Sequence, residues 1–174
     1  EHMSIEPVQR DIAQAPLDLS SGGGDHDVLW HGWSQPESRG CWTDGKAAVL
    51  RWRAMRDIAS GSVLRVEVAC AAPGAEDIRT RLVVNRRWTG AFSCSPLNGN
   101  LTLAISLPEN VPALAEMTVS FKIENPRRPR AVNAKDDRRL GLWVQRVSIA
   151  GPGSQSSLGS LPADGSTGEP AARR

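Results

Sequence analysis

Met117-Thr118-Val119-Ser120-Phe121-Lys122-Ile123 sets large apolar side chains at every second position and polar ones between them. Successive side chains of an extended chain point to opposite faces. The stretch therefore reads as a strand with one buried and one wet face. The same period recurs on either side of it. Upstream, Ala48, Leu50 and Trp52 alternate with Val49, Arg51 and Arg53, and Leu64, Val66 and Val68 alternate with Arg65, Glu67 and Ala69. Leu82 and Val84 follow, then Leu101, Leu103, Ile105 and Leu107. Downstream, Leu140, Leu142 and Val144 keep the period, and Val147 and Ile149 resume it in the opposite parity, which predicts a bulge near Gln145-Arg146.

Strands with one apolar face, separated by Gly, Pro and Asn loops, predict an all-β domain: an antiparallel two-sheet β-sandwich, jelly-roll-like, of about eight strands. Pro112 to Met117 has the only helical leaning, enough for one turn. The domain is expected over residues 28–150. Residues 1–27 read as a vector-derived scar, Glu1-His2-Met3, and an N-terminal extension in which Ile5 to Leu19 forms a short strand or an edge turn. Residues 151–174 are rich in Gly, Ser, Pro and Ala and read as a disordered tail or linker, because they offer too little burial to offset their ordering entropy.

The totals narrow the function. A net charge of +2 over 174 residues argues against a nucleic-acid binder. The longest apolar runs fall well short of the ~20 residues a membrane helix needs. Cys41, Cys70 and Cys94 are too few and too widely spaced for a zinc site, and His2, His26 and His31 lack ligand spacing, so no metal or cofactor is expected. An odd cysteine count fits a reducing compartment, and one disulfide plus one free thiol is the other reading.

The densest chemistry lies in Leu29-Trp30-His31-Gly32-Trp33-Ser34-Gln35-Pro36-Glu37-Ser38-Arg39-Gly40-Cys41-Trp42-Thr43-Asp44-Gly45. Six of the eight aromatic residues are Trp and none is Tyr, and three of the six fall here. An indole face stacks on the apolar face of a pyranose while carboxylates and guanidiniums hydrogen-bond its hydroxyls. The competing reading has the Trp residues plugging one end of the sandwich and the acids capping turns. Glu37 and Asp44 are also a conceivable acid/base pair for glycoside hydrolysis. Turn roles for Asp44-Gly45 compete with that, and no catalytic residue is assigned. A second charged feature runs from Asn125-Pro126-Arg127-Arg128-Pro129-Arg130 to Lys135-Asp136-Asp137-Arg138-Arg139-Leu140-Gly141. Arg86-Arg87-Trp88 reads as a hairpin tip running into a strand.

Gly32-Trp33-Ser34, Pro36-Glu37 and Trp42-Thr43-Asp44-Gly45 resemble the Gly-Trp-x-x-Pro-Glu-x-Trp-Gly-x-Trp-Ser-x-Gly signature of a bacterial β-sandwich domain associated with glycosyltransferases and surface-polysaccharide biosynthesis. Asn85 to Gly90 is similar to that family's Val-Asn-Gly hairpin, and Asn125-Pro126 through Asp137-Arg138-Arg139-Leu140-Gly141-Leu142 to its closing motif. Arg39 stands where the family usually has Trp, Cys41 where it often has Arg, and Arg86 where the hairpin has Gly.

The resemblance implies a non-catalytic carbohydrate-binding or substrate-positioning accessory domain, with an oligosaccharide or polysaccharide as partner and a glycosyltransferase as parent protein. It implies a bacterial setting, cytoplasmic or cell-envelope associated. The expected ligand-facing residues are Trp33, Glu37, Arg39, Trp42 and Asp44, joined by Asp136 and Arg138. Glu37 is also the natural partner of Arg138 or Arg139 in a clasp between the two charged loops. The rival function is a structural or docking module that binds a protein or a second copy of itself through a sheet face or edge. Trp143, out of phase with Leu142 and Val144, is its expected outward apolar group.

Overall fold

The computed structural model describes residues 6–70, 76–129 and 137–154. Among them eleven strands follow in chain order: β1 (Gln9–Arg10), β2 (Leu17–Asp18), β3 (Leu29–His31), β4 (Cys41–Asp44), β5 (Ala47–Ala54), β6 (Ser62–Ala69), β7 (Ile78–Val84), β8 (Trp88–Cys94), β9 (Asn100–Leu107), β10 (Glu116–Ile123) and β11 (Leu140–Ala150). One sheet has the order β1-β5-β10-β7-β8, with β3 also on β5. The other runs β2-β11-β6-β9, with β4 also on β11. Apart from the β7–β8 hairpin, the chain changes sheet at every strand, which is the path of a jelly roll. All pairings are antiparallel except the two-residue β1–β5 contact.

The alternation read from the sequence is the alternation of burial. In β10, Met117, Val119, Phe121 and Ile123 are buried and the residues between them face outward. In β6, Leu64, Val66 and Val68 are buried. The two inner faces meet in one core around Trp52 and Phe121, both fully buried. Where β11 pairs with β6, the register shifts between Val144 and Arg146. Gln145 and Arg146 thus both stand on the outer face, between buried Val144 and Val147.

The sandwich is larger than the alternation alone indicates. The sequence sets its start at residue 28, yet β1 and β2 belong to the sheets, and Ile12, Leu17 and Leu19 are buried in the core. Two-residue strands show no period to read. Arg10 fastens this segment through Asp25 at 2.9 Å and Asp27 at 2.7 Å. Of the eleven strands, β1 and β2 lie before residue 28 and nine lie within residues 28–150, one more than the expected eight.

The β7–β8 hairpin turns through Asn85 and Arg86, at φ of 50° and 60°. The Asn85 carboxamide oxygen accepts from the Thr118 backbone N–H at 2.8 Å, which ties the turn to β10. Asn tolerates this left-handed backbone, whereas an Arg Cβ meets steric strain there. Arg86→Gly is expected to raise stability by about 0.5–1 kcal/mol, since relief of strain outweighs the entropy that glycine adds to the unfolded chain. Thermal denaturation reads it as a higher midpoint. A lower midpoint would show instead that the Arg86 side chain holds the turn.

Candidate functional site

Gly32 to Asp44 is built as a short antiparallel extension that ends in a tight turn. The Asp44 N–H donates to Gly32 O at 2.7 Å, and the Ser34 N–H to Trp42 O at 3.0 Å. Farther out the Glu37 N–H donates to Gly40 O at 2.8 Å, which leaves Ser38 and Arg39 at the tip. The Ser21 N–H donates to Glu37 O at 2.7 Å and holds the turn against the segment after β2.

The tip overhangs an open groove of about 260 Å³ on the outer face of the second sheet, lined by Asp18, Ser20, Ser38, Arg39, Glu67, Gln145 and Arg146. The floor follows from strand register. Arg146 of β11 lies opposite Asp18 of β2 on one side and Glu67 of β6 on the other, so a carboxylate, a guanidinium and a carboxylate cross three strands in a row. The bulge adds the Gln145 carboxamide beside them. The Asp18 carboxyl is held below the ordinary carboxylate value, chiefly by the Ser20 backbone N–H, which donates to its Oδ1 at 3.0 Å, with Arg146 assisting and burial opposing. Two carboxylates, two guanidiniums, two hydroxyls and an amide therefore line one groove.

The structure separates the residues that the sequence grouped. Trp33 is used for packing: its Nε1–H donates to Val49 O at 2.9 Å, and its ring meets Phe121 edge-on at 5.4 Å. Trp42 is 8% exposed and stacks on Trp143 with ring centroids 5.4 Å apart. Trp42, between buried Cys41 and Thr43, fills space at the end of the sheet, and Trp33 is partly buried against the core. Trp143, the other half of that stack, is partly exposed between buried Leu142 and Val144. Asp44 accepts the Arg139 backbone N–H at 2.9 Å, while the Gly45 N–H donates to Arg139 O at 2.7 Å. Glu37 is exposed, and its carboxylate lies 3.8 Å from an Arg138 guanidinium nitrogen. The early and late loops thus meet at two points. Asp136 lies outside the described residues. Of the expected ligand-facing set, Arg39 alone lines the groove.

Several exposed groups escape a reading by sequence. Trp30 is the most exposed indole, at 46%, with the Arg51 guanidinium 4.5 Å from its ring centre. Its signal is the outward parity of β3, too short to decide. Trp88 shares a second groove, of about 370 Å³, with Arg86, Arg87, Asn110 and Glu116 at the β7–β8 hairpin. Asp18 and Glu67 carry no local motif, because only register brings them to Arg146. Among the described residues no group of three His, Cys, Asp or Glu side chains is placed to hold a metal ion.

The cysteines resolve into the second of the two readings: Cys70 and Cys94 form a disulfide, and Cys41 is a free, buried thiol. Burial pushes the Cys41 thiol up to about 11, and it donates to Ser34 O at 3.1 Å.

No protein family matches the chain, and no curated protein matches it. Solved structures resemble it in fold. A family GH115 4-O-methyl-alpha-glucuronidase, BtGH115A, described as specific for decorated arabinogalactans, aligns at 9% identity and a TM-score of 0.42, over 82% of this chain and 17% of that one. A module described as Xyl-CBM35, solved with a disaccharide containing glucuronic acid, aligns at 13% identity and a TM-score of 0.38, over 86% of this chain and 91% of that one. The CBM35 from Cellvibrio japonicus Abf62 aligns at 14% identity and a TM-score of 0.35, over 86% and 90%. The chain spans under a fifth of the glucuronidase. These are likenesses of strand arrangement, and function has to be argued from this chain's own side chains.

Proposed function

We propose that this domain binds a carbohydrate without transforming it, in the groove roofed by Ser38 and Arg39. The observation that carries this reading is the convergence of Asp18, Arg146 and Glu67 under Arg39, with Ser20, Ser38 and Gln145 at the rim. Vicinal hydroxyls donate and accept at once, and a groove that alternates carboxylates with guanidiniums matches them group for group. The open, shallow shape suits a chain lying across the sheet. The Glu37–Arg138 and Asp44–Arg139 contacts then serve as a clasp that fixes the base of the turn carrying Arg39.

The Gly-Trp and Asp-x-Arg-x-Leu-Gly motifs support a finer setting, an accessory domain of bacterial surface-polysaccharide assembly with a glycosyltransferase as parent protein. The Cys70–Cys94 bond favours the cell-envelope side of that setting, since such bonds persist in oxidising compartments.

Binding to an array of bacterial surface oligosaccharides tests the reading. Arg39→Ala and Glu67→Gln are each expected to weaken binding roughly 10- to 100-fold, the loss of a hydrogen bond to a charged group. Both positions are exposed, so the melting temperature should hold within a degree or two. Absence of binding to every oligosaccharide, or full binding by both variants, contradicts the proposal.

A further inference from the structure

The two sides of the sandwich end differently. On one side, the partners beyond β5 and β11 are β1, β2, β3 and β4, segments of two to four residues. Three of them carry a charge: Arg10, Asp18 and Asp44. Short, charged edges of this kind resist pairing with another chain. On the other side, β8 closes one sheet and β9 the other, and among the described residues no strand pairs with the outer edge of either. Trp88-Thr89-Gly90-Ala91-Phe92-Ser93-Cys94 and Asn100-Leu101-Thr102-Leu103-Ala104-Ile105-Ser106-Leu107 contain no Asp, Glu, Lys, Arg or Pro. Every interior strand, β5, β6, β7, β10 and β11, contains at least one charged residue. The usual protection is thus missing from the two longest edges. The turn that joins them carries Leu97, at 95% the most exposed large apolar side chain of the described residues.

We infer that two copies of this chain associate through β9, edge to edge and antiparallel, to make one continuous ten-stranded sheet. The occupant follows from charge and shape. An uncharged strand meets no like charge when paired with itself. The far edge of the same sheet, made by β2 and β4, is too short and too charged to receive an eight-residue strand, so a sheet extended through β9 does not grow on from its other side and ends as a two-fold dimer. Parity limits the register. Leu103, Ile105 and Leu107 are buried, while Thr102, Ala104 and Ser106 face out, and directly opposed residues must share a face. The two-fold axis therefore passes through a residue, and the fullest overlap of Asn100–Leu107 with its copy puts it at Leu103 or Ala104. In the first register Ala104 lies opposite the partner copy's Thr102, and in the second it lies opposite its own counterpart. Outward faces stay on one side, so the carbohydrate grooves of both copies open on the same surface.

Analytical ultracentrifugation of the full chain over a wide concentration range provides the test. The expected result is a monomer–dimer equilibrium. Ala104→Lys and Ala104→Glu, both at an exposed position, should each raise the dimer dissociation constant roughly tenfold or more by setting like charges across the axis. Mixing the two variants should restore dimers to at least the wild-type level, an outcome that a folding defect cannot produce. A strict monomer at every concentration overturns the proposal. So does an open-ended series of oligomers, or a dimer that neither variant weakens.

Discussion

Gly32→Ala is expected to destabilise the domain by about 3–5 kcal/mol, a large share of the roughly 5–15 kcal/mol that holds a domain of this size. Gly32 sits at φ +75°, where an L side chain is strained. A Cβ there would also lie 1.9 Å from Ala47 O and 2.8 Å from Ala48 Cα. Both are backbone atoms of β5, which is locked between β3 and β10 and has no rotamer by which to yield. The chain must turn at Gly32 because its carbonyl accepts the Asp44 N–H while the next residue sends its indole over Phe121. Urea denaturation reads the loss as a lower midpoint at unchanged slope. A near-wild-type midpoint would mean that β3 leaves β5 freely and that Trp33 does not anchor this turn.

The Cys70→Ala/Cys94→Ala double variant is expected to lose about 3 kcal/mol, from the entropy regained by the unfolded chain when a crosslink of this span is removed. The two cysteines are 24 residues apart and join the end of β6 in one sheet to the end of β8 in the other. Thermal unfolding should shift down by about 6–12 °C for a domain of this length. Thiol titration supplies the companion result. The native protein should show no reactive thiol, because Cys41 is buried and its thiol is raised to about 11. Denaturant should reveal one thiol, and denaturant with reductant should reveal three. Three thiols in denaturant without reductant would show that no disulfide forms.

Much of the sandwich is legible in the sequence because its long strands bury one face each. Phe121, Val119 and Met117 announce β10 by parity alone, and the parity change between Val144 and Val147 marks the bulge that places Gln145 and Arg146 outward. The short strands are hidden for the same reason, since Leu17-Asp18 is too brief to alternate. The site is legible only in part. Arg39 is visible as a charged residue in a Gly- and Pro-broken loop. Its partners Asp18 and Glu67 stand 21 and 28 positions away, and only the pairing of β2, β11 and β6 assembles them. Trp33 and Trp42 show the converse. Indoles in a motif suggest a stacking platform, but a large side chain beside the core gains more by burial, and both are drawn into packing.

The most direct measurement of the binding account is an amide nitrogen–proton correlation spectrum of the labelled domain, titrated with an oligosaccharide that the array selects. The shifts are expected to concentrate at Asp18, Ser20, Ser38, Arg39, Glu67, Gln145 and Arg146, the lining of the groove on the second sheet. They should vanish from the Arg39→Ala spectrum at the same ligand concentration. Shifts confined to the surroundings of Trp30 or Trp88, with the groove residues unmoved, would contradict the account and assign binding to another surface.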